Sequence, residues 1–229
     1  MPNLPRLSGE RVREEILKVL AAPVPSPGLA LYRRSGALTG LVPELARLDD
    51  ASWELMLGTI DRMPEGRLRL RLAQLLAPAA PEIEPVMRRL RFSNAEIRDV
   101  LALSAAVERP LPDADDAVAG RRWLRDVGPQ HARDTLRLHF RHARARGASA
   151  AERAGLAARG RRVLAALRRG EPVRLADLAI DGNDLQALGL RPGPEIGRVL
   201  DVCLDAVIGD PERNEREWLL EFARSQMTS

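Results

Sequence analysis

Arginines recur at helical spacing in one stretch of this 229-residue chain, and the chemistry they offer is anion binding. Residues 121–174 contain fifteen arginines against four acidic residues. One group within this stretch, at i, i+1 and i+4, consists of Arg121, Arg122 and Arg125. Another, at i, i+4, i+8 and i+11, consists of Arg133, Arg137, Arg141 and Arg144. Each spacing puts its members on one helix face, where they can follow a sugar–phosphate backbone. The alternative is a set of solvated helix faces with ion pairs, which four local acids make hard to satisfy.

The charge on either side of this basic block has the opposite sign or is balanced. Residues 1–120 carry 16 basic and 17 acidic residues, and residues 175–229 carry five arginines and eleven acids. The formal net charge of +4 therefore hides a local excess of positive charge. Such a local excess indicates a surface that binds a polyanion.

A second candidate is a proline- and glycine-rich elbow before an amphipathic segment. The sequence Arg191-Pro192-Gly193-Pro194 begins it, and Gly197 and Arg198 follow in the first helical turn. Free N–H groups at such a helix start can bind phosphate, and Gly197 would let another backbone approach closely. Glu195 favours the alternative of a purely structural elbow, since its carboxylate already complements the helix dipole.

Other catalytic or metal chemistries receive little support from the sequence. His139 and His142 are three residues apart, but the surrounding arginines disfavour a metal ion. The acidic run Asp113-Ala114-Asp115-Asp116 has the Asp-x-Asp spacing of a magnesium pair, yet it follows Pro112, where acids favour a helix start. Asp113 is predicted to open a helix that ends near Val127. We expect no catalytic and no metal-binding residue in this chain.

Composition predicts an all-α protein. Only 3% of the residues are aromatic, so the core must consist of Leu, Ala, Val and Ile. One cysteine, Cys203, and the lack of a signal sequence or of an apolar run of about 20 residues indicate a cytoplasmic protein without a membrane span. The main predicted helices, read from apolar periodicity, caps and breaks, are 8–20, 27–35, 51–63, 66–77, 94–107, 113–127, 130–146 and 150–169.

Three segments in order resemble the neck, body and tail of bacterial class II CCA-adding tRNA nucleotidyltransferases and poly(A) polymerases. They are LSGERVREEILKVL (7–20), LRFSNAEIRDV (90–100) and residues 178–220. The matching tail residues are Gly182, Asp184, Leu185, Gly189, Gly193, Pro194, Ile196, Gly197 and Asn214. The tail segment is the most specific of the three.

This resemblance implies an elongated, multi-lobed helical array with a neck (1–62), a body (63–147) and a tail (148–229). The neck residues Glu10, Arg11 and Glu15 would support the nucleotide pocket of a catalytic head. The basic body would hold the acceptor arm of tRNA, and the tail would meet its elbow. The head's Gly-Ser turn, Asp-x-Asp pair and Glu-Asp-x-x-Arg helix have no counterpart in these residues, so Mg²⁺, CTP and ATP would belong to a separate or removed head.

The sequence thus predicts a tRNA-binding, non-catalytic part of a CCA-adding enzyme that is inactive alone. The predicted partners are tRNA and a separate head chain. With seven aromatic residues, duplex RNA bound through its backbone is favoured over single strands. Two alternatives stay open. One is the body of a poly(A) polymerase acting on other RNA 3′ ends, and the other is a helical adaptor that binds protein.

Overall fold

The computed structural model describes residues 7–227, and within this range it contains fourteen α-helices and no strand. The predicted all-α class is therefore confirmed. The first seven helices are α1 (Gly9–Ala21), α2 (Ser26–Arg34), α3 (Ala37–Leu41), α4 (Pro43–Ala46), α5 (Asp50–Asp61), α6 (Leu68–Leu76) and α7 (Ile83–Arg89). The next seven are α8 (Asn94–Val107), α9 (Ala117–Val127), α10 (Pro129–Ala145), α11 (Ala150–Arg169), α12 (Gly182–Ala187), α13 (Pro194–Gly209) and α14 (Arg216–Met227). No described helix is both long and apolar enough to cross a membrane.

The chain divides into two compact units that are each discontinuous in sequence. Unit 1 consists of residues 1–110 and 133–157, and unit 2 consists of residues 111–132 and 158–229. The predicted boundaries after residues 62 and 147 both fall inside unit 1.

Helix α6 lies at the centre of unit 1. Every residue from Leu70 to Leu76 on this helix is buried, and it packs against α1, α5 and α8. The apolar stripe of α1 faces this core through Val12, Ile16 and Leu20, as its spacing predicts. Burial on all sides explains why α6 shows a weaker helical periodicity than α1.

A buried arginine joins these elements. Arg71 on α6 is completely buried, and its guanidinium donates to the carbonyl oxygens of Leu20 and Ala22, both at 2.6 Å, and of Met63 at 3.0 Å. Because the first two carbonyls belong to the end of α1, the cation also complements the negative end of that helix's dipole. The sequence analysis did not identify Arg71, since neither of its neighbours in sequence is charged.

Helix α8 begins with a capping box formed by Ser93 and Glu96. The Ser93 hydroxyl accepts a hydrogen bond from the backbone N–H of Glu96, and the Glu96 carboxylate accepts one from the backbone N–H of Ser93 at 2.8 Å. This capping box satisfies two N–H groups that the helix cannot pair internally. It begins α8 at the predicted residue.

In unit 2, α12, α13 and α14 pack around a small core that includes Leu185, Val199 and the buried Cys203. Burial raises the pKa of the Cys203 thiol to about 11, so the residue behaves as an apolar core side chain. Asn214 joins two loops of this unit. Its Oδ1 accepts from the Ala179 N–H and its Nδ2 donates to the Asp177 carbonyl, both at 2.9 Å.

The tail motif therefore has a structural explanation at several of its positions. Asp184 accepts from the backbone N–H of Asp181 at 2.9 Å and pairs with Arg216. A side chain at Gly182 would place its Cβ 3.3 Å from the Cγ2 of Ile196, so glycine permits α12 and α13 to pack closely.

Candidate nucleic-acid interface

The arginines of α9 do not form the single basic face that their spacing predicts. Arg121 is only 6% exposed, and its guanidinium donates to the carbonyls of Ile208 at 2.5 Å and Gly209 at 3.1 Å and pairs with Glu171. The prediction of an exposed RNA contact is therefore wrong for Arg121. Arg122, its neighbour on the helix, is exposed.

Acidic residues from distant parts of the sequence neutralise other arginines of the block. Arg125 pairs with Asp201 at 2.9 Å and with Asp205, both on α13. Arg159 on α11 pairs with Asp113 at 3.0 Å. Asp116, and not Asp113 as predicted, caps the start of α9. The count of acids within residues 121–174 disfavours such ion pairs. In unit 2 they form nevertheless, with acids from outside this range.

The arginine row of α10 is different. The four positions, Arg133, Arg137, Arg141 and Arg144, lie within unit 1 and are exposed or half-buried. Arg137 pairs with Asp134, which also lies 3.9 Å from Arg67. Among the residues that the structure describes, no carboxylate is within ion-pair distance of the other three. At 1.5 Å per residue, the row extends about 16 Å along the helix.

A cleft of about 400 Å³ opens beside this row, between α10 and the start of α11. Its lining residues are Arg137, Phe140, Arg141, Arg144, Arg153 and Ala157. Leu136 and Ala143 on the same helix are buried, whereas Phe140 is half-buried at the cleft. Arg153 was not identified from the sequence, because it lies on the following helix and outside the α10 repeat.

The elbow before α13 is exposed from Arg191 to Glu195. Gly193 has a φ of 158°, a conformation that side chains rarely adopt, and Pro194 begins the helix. Glu195 is paired with Arg198, whose guanidinium holds the pKa of that carboxyl below its usual range. Within residues 7–227, a Cβ built on Gly197 would meet no atom within 4 Å outside its own helix backbone and its two chain neighbours, so this part of the chain does not show the close backbone approach predicted there.

The neck residues lie on the solvent-facing side of α1. Glu10, Arg11 and Glu15 are all exposed, opposite the buried stripe of this helix. Glu15 pairs with Lys18 at 3.0 Å, and Glu10 lies 3.7 Å from Arg91. They do not contribute to the core.

Of the three histidines on α10, His139 and His142 are half-buried near its end, and burial is the main cause that lowers the pKa of both. Both are therefore neutral at pH 7 and add no charge to the arginine row. The described part of the chain holds no group of three or more His, Cys, Asp or Glu side chains placed to bind a metal ion.

Two family models match this chain. Residues 70–223 match a model described as tRNA nucleotidyltransferase domain 2, putative. Residues 1–48 match a model described as a probable RNA- and SrmB-binding site of polymerase A. The comparison with solved structures gave no significant match.

Three curated proteins illustrate the similarity. The CC-adding tRNA nucleotidyltransferase of Thermus thermophilus is 31% identical over 86% of this chain and 52% of its own length. The A-adding tRNA nucleotidyltransferase of Deinococcus radiodurans is 30% identical over 89% of this chain and 55% of its own. The CCA-adding enzyme of Lactobacillus delbrueckii subsp. bulgaricus is 26% identical over 96% of this chain and 51% of its own.

The chain thus spans about half the length of the curated relatives it matches. One family model covers most of the segment that forms α6 to α14, and that segment includes the arginine row and its cleft. The chain therefore belongs to the tRNA nucleotidyltransferase family.

Proposed function

We propose that this chain binds tRNA, as the non-catalytic RNA-binding part of a CCA-adding tRNA nucleotidyltransferase. The observation that carries the proposal is the α10 row, in which Arg133, Arg141 and Arg144 have no acidic partner among the described residues. Guanidinium groups without an internal partner are available to phosphates, which they can bind through two parallel hydrogen bonds.

Duplex RNA fits this surface better than unpaired bases do. The chain has seven aromatic residues, of which Trp53, Phe92 and Trp123 are buried. Unpaired bases are generally recognised by stacking on aromatic rings, whereas an RNA duplex is recognised through its backbone and shape. The base-paired arms of a tRNA offer such a backbone.

The relatives support tRNA as the common element. Two of them are named as a CC-adding and an A-adding tRNA nucleotidyltransferase, so their names differ in the nucleotide added and agree on the RNA. This chain resembles both to nearly the same degree. A region shared by enzymes of different nucleotide specificity fits the binding of their common substrate.

Nucleotidyl transfer itself we assign to a catalytic head outside these residues, in a longer protein or in a separate chain. Mg²⁺ and CTP or ATP would bind to that head. In this proposal, the exposed face of α1 with Glu10, Arg11 and Glu15 supports the head's nucleotide pocket.

A second candidate is the body of a poly(A) polymerase, favoured by the match of residues 1–48 to a polymerase A model. Such a body acts on RNA ends that are single-stranded and varied. The protein-binding adaptor is the third candidate, and it predicts partner binding that is insensitive to salt.

A titration with two RNAs distinguishes these candidates. The chain is titrated with whole tRNA and with a single-stranded RNA of equal length, each at 50 and 200 mM salt. We expect tighter binding to tRNA, and a fall of several hundred-fold in affinity over this range if about five phosphates are bound. Preference for the single strand would favour the poly(A) polymerase body, and absence of binding to both RNAs would contradict RNA binding.

The non-catalytic role needs its own measurement. The chain alone is incubated with tRNA lacking its 3′ end, Mg²⁺ and labelled CTP or ATP. We expect no incorporation of label, and incorporation of either nucleotide would overturn this part of the proposal.

A further inference from the structure

The cleft between α10 and α11 is built on a tightly defined helix–turn–helix segment of unit 1. Gly147 in the turn has a φ of 75°, and the Ala148 N–H donates to the Ala143 carbonyl at 2.9 Å. Ser149 and Glu152 then form a capping box at the start of α11, with hydrogen bonds of 3.2 and 2.7 Å. The two walls of the cleft are therefore fixed relative to each other before any ligand binds.

Two of the four cleft arginines are oriented by contacts inside the protein. Arg137 donates to Asp134, and Arg153 donates to the carbonyl of Ala148. Each guanidinium has five N–H donors, so both keep donors for a ligand. Arg141 and Arg144 have no acidic partner among the described residues and can adjust to a ligand placed between the fixed pair.

The positive charge of the cleft favours an anionic ligand. Four guanidinium groups line it, and no carboxylate is among the described lining residues. Repulsion between these guanidinium groups raises the electrostatic free energy of the empty cleft, particularly at low ionic strength. An anion bound among them removes that repulsion, and a planar guanidinium matches the oxygens of a phosphate.

Phe140 adds an apolar surface to this cationic site. Its ring lines the cleft beside Arg141 and Arg144, with Ala157 on the other helix. A volume of about 400 Å³ exceeds what a bare inorganic phosphate needs. A ligand that fills the cleft would combine an anionic group with a body about the size of a sugar, one face of which can pack on the Phe140 ring.

We propose that this cleft binds one phosphodiester of an RNA backbone, with the adjoining ribose against Phe140. This proposal rests on the proposed RNA-binding function and assigns to it a specific phosphate site. The remaining arginine of the row, Arg133, lies outside the cleft lining and contributes a separate backbone contact.

Phosphate-ethylation interference on tRNA tests the site directly. The wild-type chain is compared with the double variant Arg141→Gln/Arg144→Gln. Arg98→Gln is the control, since Arg98 is an exposed arginine on α8. We expect ethylation at several backbone positions to weaken binding of the wild type and the control, and one of these positions to correspond to the cleft. In the double variant that position should lose its effect, and the slope of log affinity against log salt should fall by about one.

The outcomes separate the two proposals. A double variant with the same interference pattern as wild type would overturn the cleft assignment while leaving RNA binding intact. Failure of the wild type to bind any RNA would overturn the function and the cleft together.

Two further measurements test the nature of the ligand. Phe140→Leu should weaken tRNA binding severalfold without changing the salt slope, because the ring contributes contact area and no charge. AMP and pyrophosphate are titrated as competitors, and we expect neither to displace tRNA at concentrations below about the millimolar range. Displacement at micromolar AMP would instead identify a site for free nucleotides and would overturn the assignment to an RNA backbone.

Discussion

The guanidinium of Arg71 donates to main-chain carbonyls in the core, that of Arg125 pairs with two aspartates, and that of Arg141 has no described acidic partner. One residue type therefore has three roles here, which depend on burial and on the acceptors within reach. A buried guanidinium needs protein acceptors in place of the water it has lost, whereas an exposed one can bond to solvent.

Replacing Arg71 with Leu should lower the free energy of unfolding by about 3–5 kcal/mol, because the carbonyls of Leu20, Ala22 and Met63 lose their donor in a buried site. Urea denaturation followed by circular dichroism measures the effect. Arg69→Leu is the matched control on the same helix. Arg69 is exposed and pairs only with Asp99, so we expect a change below about 1 kcal/mol. Equal effects of the two substitutions would contradict the structural role of Arg71.

The same substitution at the adjacent residues Arg121 and Arg122 should change the stability of the protein by very different amounts. Arg121→Gln removes a buried donor to Ile208 and Gly209 and should destabilise the protein by about 3 kcal/mol. Arg122→Gln alters an exposed side chain and should leave stability within about 0.5 kcal/mol of wild type. Thermal unfolding monitored by circular dichroism compares them, and a stable Arg121→Gln variant would contradict this difference.

Which arginines are buried or paired could not be predicted from local charge. The sequence shows that four acids in residues 121–174 cannot pair with fifteen arginines. It does not show that Asp201 and Asp205 reach Arg125 across more than seventy positions. Arg133 and Arg144 are exposed on α10, as their spacing on one helix allows, and their role in RNA binding stays a prediction.

At the scale of elements, the helices with local start signals were predicted best. The bounds of α8 and α11 agree with the sequence-based ranges, because Ser93 and Ser149 each begin a capping box. The start of α9 differs from the prediction, because three aspartates near it are candidate caps; Asp116 caps the helix, while Asp113 pairs with Arg159. Such a long-range contact has no local sequence signal.

The capping box of α8 gives a prediction for the pH dependence of stability. Hydrogen bonds from the side chain and then the backbone of Ser93 hold the pKa of Glu96 below its usual 4.5. The stabilisation is therefore complete above about pH 4.5 and is lost as the pH falls through the lowered folded-state pKa.

Ser93→Ala removes the hydroxyl that accepts from the Glu96 N–H and donates to the Glu96 carboxylate, and it leaves the backbone N–H of residue 93 in place. It should cost about 1 kcal/mol at pH 7. The difference between variant and wild type should be smaller at pH 3 than at pH 7, because part of it depends on the ionised Glu96 carboxylate, which loses its charge as the pH falls. Urea denaturation at the two pH values measures it. Ser35→Ala is the control, because the exposed Ser35 hydroxyl bonds to the main chain of Tyr32 and Ala37 and to no carboxylate among the described residues. A difference that stays constant with pH would contradict the role assigned to Glu96.

At the scale of the whole molecule, each of the two units is completed by a distant part of the chain. Residues 111–132 belong to unit 2 together with residues 158–229. The buried Trp123 and Leu124 of α9 lie in the first of these segments. A sequence-based division after residue 147 therefore separates this segment from the rest of its unit.

Fragment 1–147 should accordingly expose α9 to proteases. In the full chain, Arg121 is buried and bonded to residues 171, 208 and 209, all of which the fragment lacks. Brief trypsin digestion analysed by mass spectrometry should cut the fragment after Arg121 or Arg122 well before it cuts the full chain there. Equal protection of α9 in both would contradict the assignment of this segment to unit 2.

The bonding of Arg71 also bears on how this position evolves. Its acceptors are main-chain carbonyls, which every amino acid supplies, so residues 20, 22 and 63 can change identity without loss of the hydrogen bonds. Among relatives, the position should therefore be nearly invariant and yet show no co-variation with any partner. Methods that detect contacts from correlated substitutions would miss this interaction, although it connects three segments of the core.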